Sequence, residues 1–276
     1  MKWMLMFFVL LGVCPGVSAE PICTHIDMEW LAKQAPLPED ARIVHKKDQG
    51  NLCEVVLSLE GDLVPVYAGK DFLLVGKLFK NRKFITGETL DSLAEVAREE
   101  RLKADEKEAL DKEKRKAFLQ KNLKGLADLT LFSFKPEKTE SFLYVITDPN
   151  CSYCKKLMPD LEILAMENHI EIRVILFPVL GSESREMAAQ AICEKLSYEA
   201  YGKMQFVPGS TCRQADLLLE KTMPFLSDAG FSFVPVVISG DGAWVVEGND
   251  LAQVKLHLGI SCDEVDGVSP TGCAKD

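Results

Sequence analysis

From Phe142 to Thr147 the chain reads Phe-Leu-Tyr-Val-Ile-Thr, an unbroken aromatic and β-branched run that predicts a buried strand. After a polar break, Leu157, Met158, Leu161, Leu164 and Ala165 recur at helical spacing. Glu171 to Phe177 predicts a second buried strand, ended by Pro178. Glu183 to Leu196 is expected to be helical, with Met187, Ala188, Ala191 and Ile192 on one face, and the polar stretch to Ala229 is expected to hold further helices. Phe233 to Ile238 and Ala243 to Val246 flank a turn at Gly240-Asp241-Gly242, and Asp250 to Leu258 closes the chain as a helix. The pattern predicts an α/β domain over 126–276.

Toward the N-terminus the period changes. Ile26 to Leu31 predicts a helix stopped near Pro36 and Pro38, followed by strands at Leu52 to Leu59, Val64 to Tyr67 and Asp71 to Gly76, with Leu78-Phe79 continuing. Gly61-Asp62 and Gly69-Lys70 supply turns. This makes a small α+β unit over 20–87, with a sheet that is marginal alone and suited to oligomerisation. Residues 88–125 carry interleaved acids and bases without Gly or Pro until Gly125. Apolar stripes occur at the start (Leu90, Leu93, Val96, Ala97) and end (Phe118, Leu119, Leu123), while the middle is polar nearly all round. That predicts a solvated linker helix capped at Gly125, against the alternative of a disordered charged linker.

Composition narrows the function classes. A net charge of −10 over 276 residues argues against a nucleic-acid or acidic-membrane partner. Nine cysteines are many for a reducing compartment. Lys2, the apolar run Met4 to Val13 and the small residues Val17-Ser18-Ala19 read as an export signal over 1–19, cleaved after Ala19. A lipid-anchor reading of Leu11-Gly12-Val13-Cys14 is weaker, because Val13 is large for that position and Pro15 follows the cysteine. Cleavage removes Cys14 and leaves an even number of cysteines in an exported protein.

The strand-to-helix junction carries the chemistry. Asp148-Pro149-Asn150-Cys151-Ser152-Tyr153-Cys154 puts a Cys-x-x-Cys pair at a helix N-terminus, where free N–H groups and the helix dipole favour a thiolate at Cys151. Cys154, one turn on and facing inward, is the natural resolving thiol. Zinc would require a second cysteine pair or paired histidines at ligand spacing; His25, His45, His169 and His257 are scattered, so no metal or other cofactor is expected. Pro159 inside the helix matches the kinked active-site helix of thioredoxins. Cys23 and Cys53 could bridge the first helix to the first strand or remain buried thiols, the bridge being favoured in an exported chain.

Taken together, these features resemble the periplasmic DsbC/DsbG disulfide isomerases. Asp148, Cys151, Tyr153 and Cys154 match that family's active site, with Ser152 in place of its glycine. Ala191-Ile192-Cys193 and Ser210-Thr211-Cys212 resemble its structural disulfide, Cys193–Cys212. Phe72 to Phe79 and Gly87-Glu88-Thr89-Leu90 resemble its cystatin-like dimerisation domain. Val234-Pro235 resembles its cis-proline loop, although Val in place of the usual Thr is closer to the DsbA oxidases. The resemblance implies a thioredoxin-fold catalytic domain with a helical insertion, and a V-shaped homodimer around a shared cleft. It further implies isomerisation and reduction of misoxidised exported proteins in the periplasm by Cys151 and Cys154, tuned by Ser152, Tyr153, Val234 and Pro235. A membrane reductase of the DsbD type would restore the dithiol. Cys262 and Cys273, beyond the matched region, are taken as a tail disulfide. The competing functions are a DsbA-type dithiol oxidase and a chaperone-like binder of unfolded exported proteins.

Overall fold

The structure, a computed structural model, describes residues 21–203 and 211–260. The expected export signal with Cys14 and Ala19, and the tail cysteines Cys262 and Cys273, lie outside the described residues. The chain divides into two compact units, one ending at Ala109 and the other beginning at Leu110.

In the first unit a short 3₁₀ turn, Ile22–His25, precedes α1 (Met28–Gln34), whose N-cap Asp27 accepts the Trp30 N–H at 2.8 Å. Strands β1 (Arg42–Asp48), β2 (Cys53–Leu59), β3 (Asp62–Ala68) and β4 (Leu73–Val75) form an antiparallel meander in that order. Glu60 and Gly61, at φ 50° and 90°, close the β2–β3 hairpin with the positive-φ pair that a two-residue turn requires. One face of β2 presents Cys53, Val55 and Leu57 to Ile26, Leu31, Val66 and Ala68. Cys23 and Cys53 form a disulfide from the 3₁₀ turn to the second strand, because β1 precedes the strand expected first.

A second hairpin joins β5 (Phe79–Lys80) and β6 (Lys83–Phe84), with the Phe79 and Phe84 rings stacked at 4.9 Å. It leads to α2 (Ile85–Ser92) and α3 (Ala94–Lys121). The division between the units falls inside α3. From 101 to 114 every α3 residue except Ala104 is exposed, as the polar pattern requires.

The other face of β2 carries two polar residues, Glu54 and Ser58, on either side of Val56. Glu54, fully buried, accepts hydrogen bonds from Tyr67 Oη (3.0 Å), Thr89 Oγ1 (3.0 Å) and Gln49 Nε2 (2.9 Å). Ser58 donates to Glu100 at 2.7 Å, and Arg42 and Lys103 pair with the same carboxylate. Burial opposes the charge on Glu100, but the Ser58, Arg42 and Lys103 hydrogen bonds outweigh it and pull its pKa from 4.5 to about 2. The folded unit therefore binds fewer protons than the unfolded chain between those values. This stabilisation is complete above about pH 4.5 and is lost as pH falls toward 2. Glu100→Gln should cost about 2 kcal/mol at neutral pH and flatten the stability change over that acid window, as read by urea unfolding. Unchanged acid sensitivity would show that Glu100 does not set it.

The second unit opens with the end of α3, then α4 (Leu123–Leu129). Gly125 lies inside α4 and caps nothing. A Cβ there would sit 2.6 Å from the Phe225 ring, so the residue permits close helix packing. The elements continue as β7 (Phe132–Phe134), β8 (Ser141–Thr147), α5 (Ser152–Asn168), β9 (Ile170–Leu176), α6 (Ser182–Cys193), α7 (Tyr198–Gly202), α8 (Arg213–Asp228), β10 (Val236–Ser239), β11 (Val245–Glu247) and α9 (Leu251–His257). The five-stranded sheet runs β11-β10-β8-β9-β7, with β8 and β9 parallel and the other neighbours antiparallel.

Alternation along the central strands builds two cores, one on each face of the sheet. Leu143 and Val145 of β8 join Ile172 and Val174 of β9 and Leu157, Leu161 and Leu164 of α5. Tyr144 and Ile146 join Leu119, Leu126, Leu226 and Ile238 in the other core, which also holds Cys151 and Cys154. β10 starts at Val236, later than expected, since Pro235 has no N–H to give a ladder.

Candidate active site

β8 ends at Thr147, and Asp148-Pro149-Asn150 turn the chain into α5. Asp148 organises that turn. Its fully buried carboxylate accepts the Asn150 N–H at 2.7 Å and the Leu180 N–H at 3.1 Å, tying the turn to the loop after β9. The Asp148 carbonyl accepts the Cys151 N–H at 3.1 Å. Cys151 is the N-cap of α5, and its Sγ accepts the Cys154 N–H at 3.2 Å. The sulfur thus occupies the position in which a helix N-terminus holds an anion.

The same Sγ donates to the Val234 carbonyl at 3.8 Å, which brings the loop before β10 onto the dithiol. The Val234–Pro235 peptide bond is cis. Cys151 and Cys154 are both free and buried, at 4% and 2% exposure. Burial pushes the Cys154 thiol up from 9.0 to about 12; the neighbouring Cys151 adds to the rise, while the Thr147 hydroxyl and the Asp148 backbone oppose it. Cys154 is therefore a protonated thiol at neutral pH.

The remaining site candidates divide by place. Ser152 and Tyr153 point to solvent, with Lys156 Nζ 5.8 Å from the centre of the Tyr153 ring. Tyr153, Leu180 and Phe233 are large apolar side chains left at least 46% exposed. Val234 lies against Cys151 through the carbonyl contact, and Pro235 follows it across the cis bond. Cys193 and Cys212 form a disulfide between the end of α6 and the N-cap of α8, away from the dithiol in sequence and in role. Cys23 and Cys53 belong to the first unit. No group of three or more His, Cys, Asp or Glu suited to a metal occurs among the described residues, and none of their helices is long and apolar enough to cross a membrane.

Sequence reasoning missed two hydroxyls. Thr147, the last residue of β8, and Tyr201 of α7 stand 3.4 Å apart, and both line a cavity of about 290 Å³ that also reaches Cys154. Thr147 is next to the motif and Tyr201 is 54 positions away, so only the fold connects them.

A family model described as a thioredoxin-like domain matches residues 128–248. The second unit thus carries a mixed α/β thioredoxin-like fold, with the free Cys151 and Cys154 pair at the start of α5. No curated protein matches the chain. Among solved structures, a linker-deleted variant of Proteus mirabilis ScsC is 14% identical, with a TM-score of 0.46 over 66% of this chain and 98% of that one. The thiol-disulfide exchange protein alpha-DsbA2 of Wolbachia pipientis is 18% identical, with a TM-score of 0.43 over 55% of this chain and 97% of that one. Helicobacter pylori DsbG is 17% identical, with a TM-score of 0.36 over 72% of this chain and 93% of that one.

Proposed function

We propose that the protein is a thiol:disulfide interchange protein that isomerises and reduces incorrect disulfides in exported proteins, working in the periplasm as a homodimer. The observation that carries this reading is the Cys151 sulfur, held at the start of α5 by the Cys154 N–H at 3.2 Å and facing the Val234 carbonyl at 3.8 Å. Cys151 thiolate attacks a substrate disulfide; a mixed disulfide forms and the substrate's other sulfur leaves as a thiolate. If that thiolate attacks a further substrate disulfide, electrons are conserved and the substrate is isomerised. If Cys154 attacks Cys151 instead, the chain becomes the Cys151–Cys154 disulfide and the substrate gains two electrons. A membrane reductase of the DsbD type would then restore the dithiol.

Dimerisation through the first unit is part of the same reading. β4 is the last strand of its sheet, and it carries Leu74 and Val75 at 54% and 72% exposure; Phe72 before it, and Phe79 and Phe84 of the following hairpin, are exposed as well. An apolar edge of that kind is a template for a second copy.

One observation favours a second reading, a dithiol oxidase: the residue before Pro235 is Val234. Reactivation of a disulfide-scrambled test protein at fixed glutathione poise separates the two. We expect rapid recovery, loss of that recovery in Cys151→Ala, and loss of both the dimer and most isomerisation in Val75→Lys, which keeps reduction of small disulfides. Fast oxidation of a reduced dithiol peptide without reactivation would replace isomerase by oxidase. Aggregation suppression that survives Cys151→Ala, with no thiol-dependent recovery, would leave a binding module.

A further inference from the structure

Cys154 must lose a proton before it can resolve a mixed disulfide, yet it sits inside the first turn of α5 at 2% exposure. The helix N-terminus serves Cys151 and offers Cys154 no exit for that proton. The cavity of about 290 Å³ does. Thr147, Cys154 and Tyr201 line it together, and Thr147 and Tyr201 are each only 1% exposed with hydroxyls 3.4 Å apart. Thr147 faces the same cavity as Cys154, and its hydroxyl works against the burial that raises the Cys154 thiol. Burial pushes the Tyr201 hydroxyl pKa well above its ordinary value, so Tyr201 keeps its proton and remains a donor throughout the working pH range.

The other titratable groups around Cys154 are Cys151 and Asp148 in the turn, Lys155 and Glu162 on α5, and Tyr198, Glu199 and Lys203 on or beside α7. Asp148 is already committed to two backbone N–H groups. Tyr198 donates to the Met158 carbonyl at 3.3 Å. Lys203 is paired with Glu199.

We propose that Thr147 and Tyr201 form a hydroxyl chain that places a donor on the Cys154 sulfur as it becomes a thiolate and carries its proton to water in the cavity. Thr147 is the catalytic member and Tyr201 the positioning member. The Cys154 S–H bond breaks as its proton passes to Thr147 Oγ1, which gives its own to Tyr201 Oη, which gives its own to water. The Cys154 lone pair forms the bond to Cys151, the Cys151–substrate S–S bond breaks, and the substrate sulfur leaves with the electron pair. Two electrons pass from the chain to the substrate, and no other oxidant enters.

This rests on the reading of Cys154 as the resolving thiol, and the test separates the two. The reduced dithiol is mixed with a chromogenic aromatic disulfide, dithiobis-nitrobenzoate. The first release of dye is bimolecular and reports attack by Cys151; the second is unimolecular and reports ring closure by Cys154. In Tyr201→Phe and Thr147→Val we expect an unchanged first phase. Their second phase should be slower by about tenfold at neutral pH, with the midpoint of its pH profile raised by about one unit. Thr147→Ser, which keeps the hydroxyl, should retain the wild-type profile. If Tyr201→Phe fails to fold, the contrast between Thr147→Val and Thr147→Ser decides. An unchanged second-phase profile in Thr147→Val, or an equal shift in Thr147→Ser, would overturn the proposal. A wild-type protein with no fast first phase would overturn the dithiol reading itself, and this proposal with it.

Discussion

Cys154→Ala is expected to turn the protein from a catalyst of reduction into a trap. Cys151 keeps its place as the N-cap of α5 and its contact with the Val234 carbonyl, so the first attack on a substrate disulfide survives. What disappears is the intramolecular thiol one turn away. A bound thiol acts at an effective concentration far above that of any free thiol, so resolution should slow by on the order of 10³-fold or more. Mixed disulfides with disulfide-bonded substrate proteins should then accumulate as high-mass bands on non-reducing gels, and vanish with added reductant or in the Cys151→Ala, Cys154→Ala double variant. Isomerisation in which the substrate's own thiol releases Cys151 should fall much less. If Cys154→Ala forms no adduct while wild type reduces substrate normally, Cys151 is not the nucleophile.

Much of the second unit was legible because its strands are buried on both faces. Phe142 to Thr147 and Glu171 to Phe177 admit few readings other than β8 and β9, and a Cys-x-x-Cys between such a strand and an amphipathic helix falls where Cys151 caps α5. The elements that escaped have weak patterns. β1, Arg-Ile-Val-His-Lys-Lys-Asp, has no buried residue and reads as charged surface, yet it is the edge of the first sheet. β7 is three residues long and reads as loop. The helix expected to run unbroken over 88–125 is interrupted at Leu93 and Asn122, where local backbone turns leave no clear mark in a segment of strong helix formers.

Buried polar chemistry is harder to read than apolar pattern. Glu54 and Glu100 look like ordinary solvated acids in the sequence, but they are buried against one face of the first sheet because hydroxyl and basic partners converge on them from α2, α3 and β1. The Thr147–Tyr201 pair is a product of topology in the same way. α7 has five residues and no helical signature strong enough to stand alone. It is positioned by Tyr198 and Tyr201, which pack on the β7 rings: Phe134 lies 5.2 Å from Tyr198, and Phe132 lies 5.0 Å from Tyr201.

That dependence makes the Cys193–Cys212 disulfide the second large lever. The bridge closes a segment of sequence separation 19 that contains α7. In the chain-entropy account, closing a loop of that size stabilises the fold by about 3 kcal/mol. The Cys193→Ser, Cys212→Ser double variant should therefore melt about 6 °C or more below wild type by calorimetry. The loss should also be uneven. α6 and α8 remain anchored by Ala188, Ile192, Ala215 and Leu219 in the core, whereas α7 keeps only its two tyrosines. Tyr201 would then leave the cavity for part of the time, and ring closure by Cys154 should slow more than attack by Cys151. A double variant that melts within about 1 °C of wild type would show that the aromatic packing alone holds the insertion. One that loses stability but keeps the ratio of the two rates would separate the bridge from the resolving step.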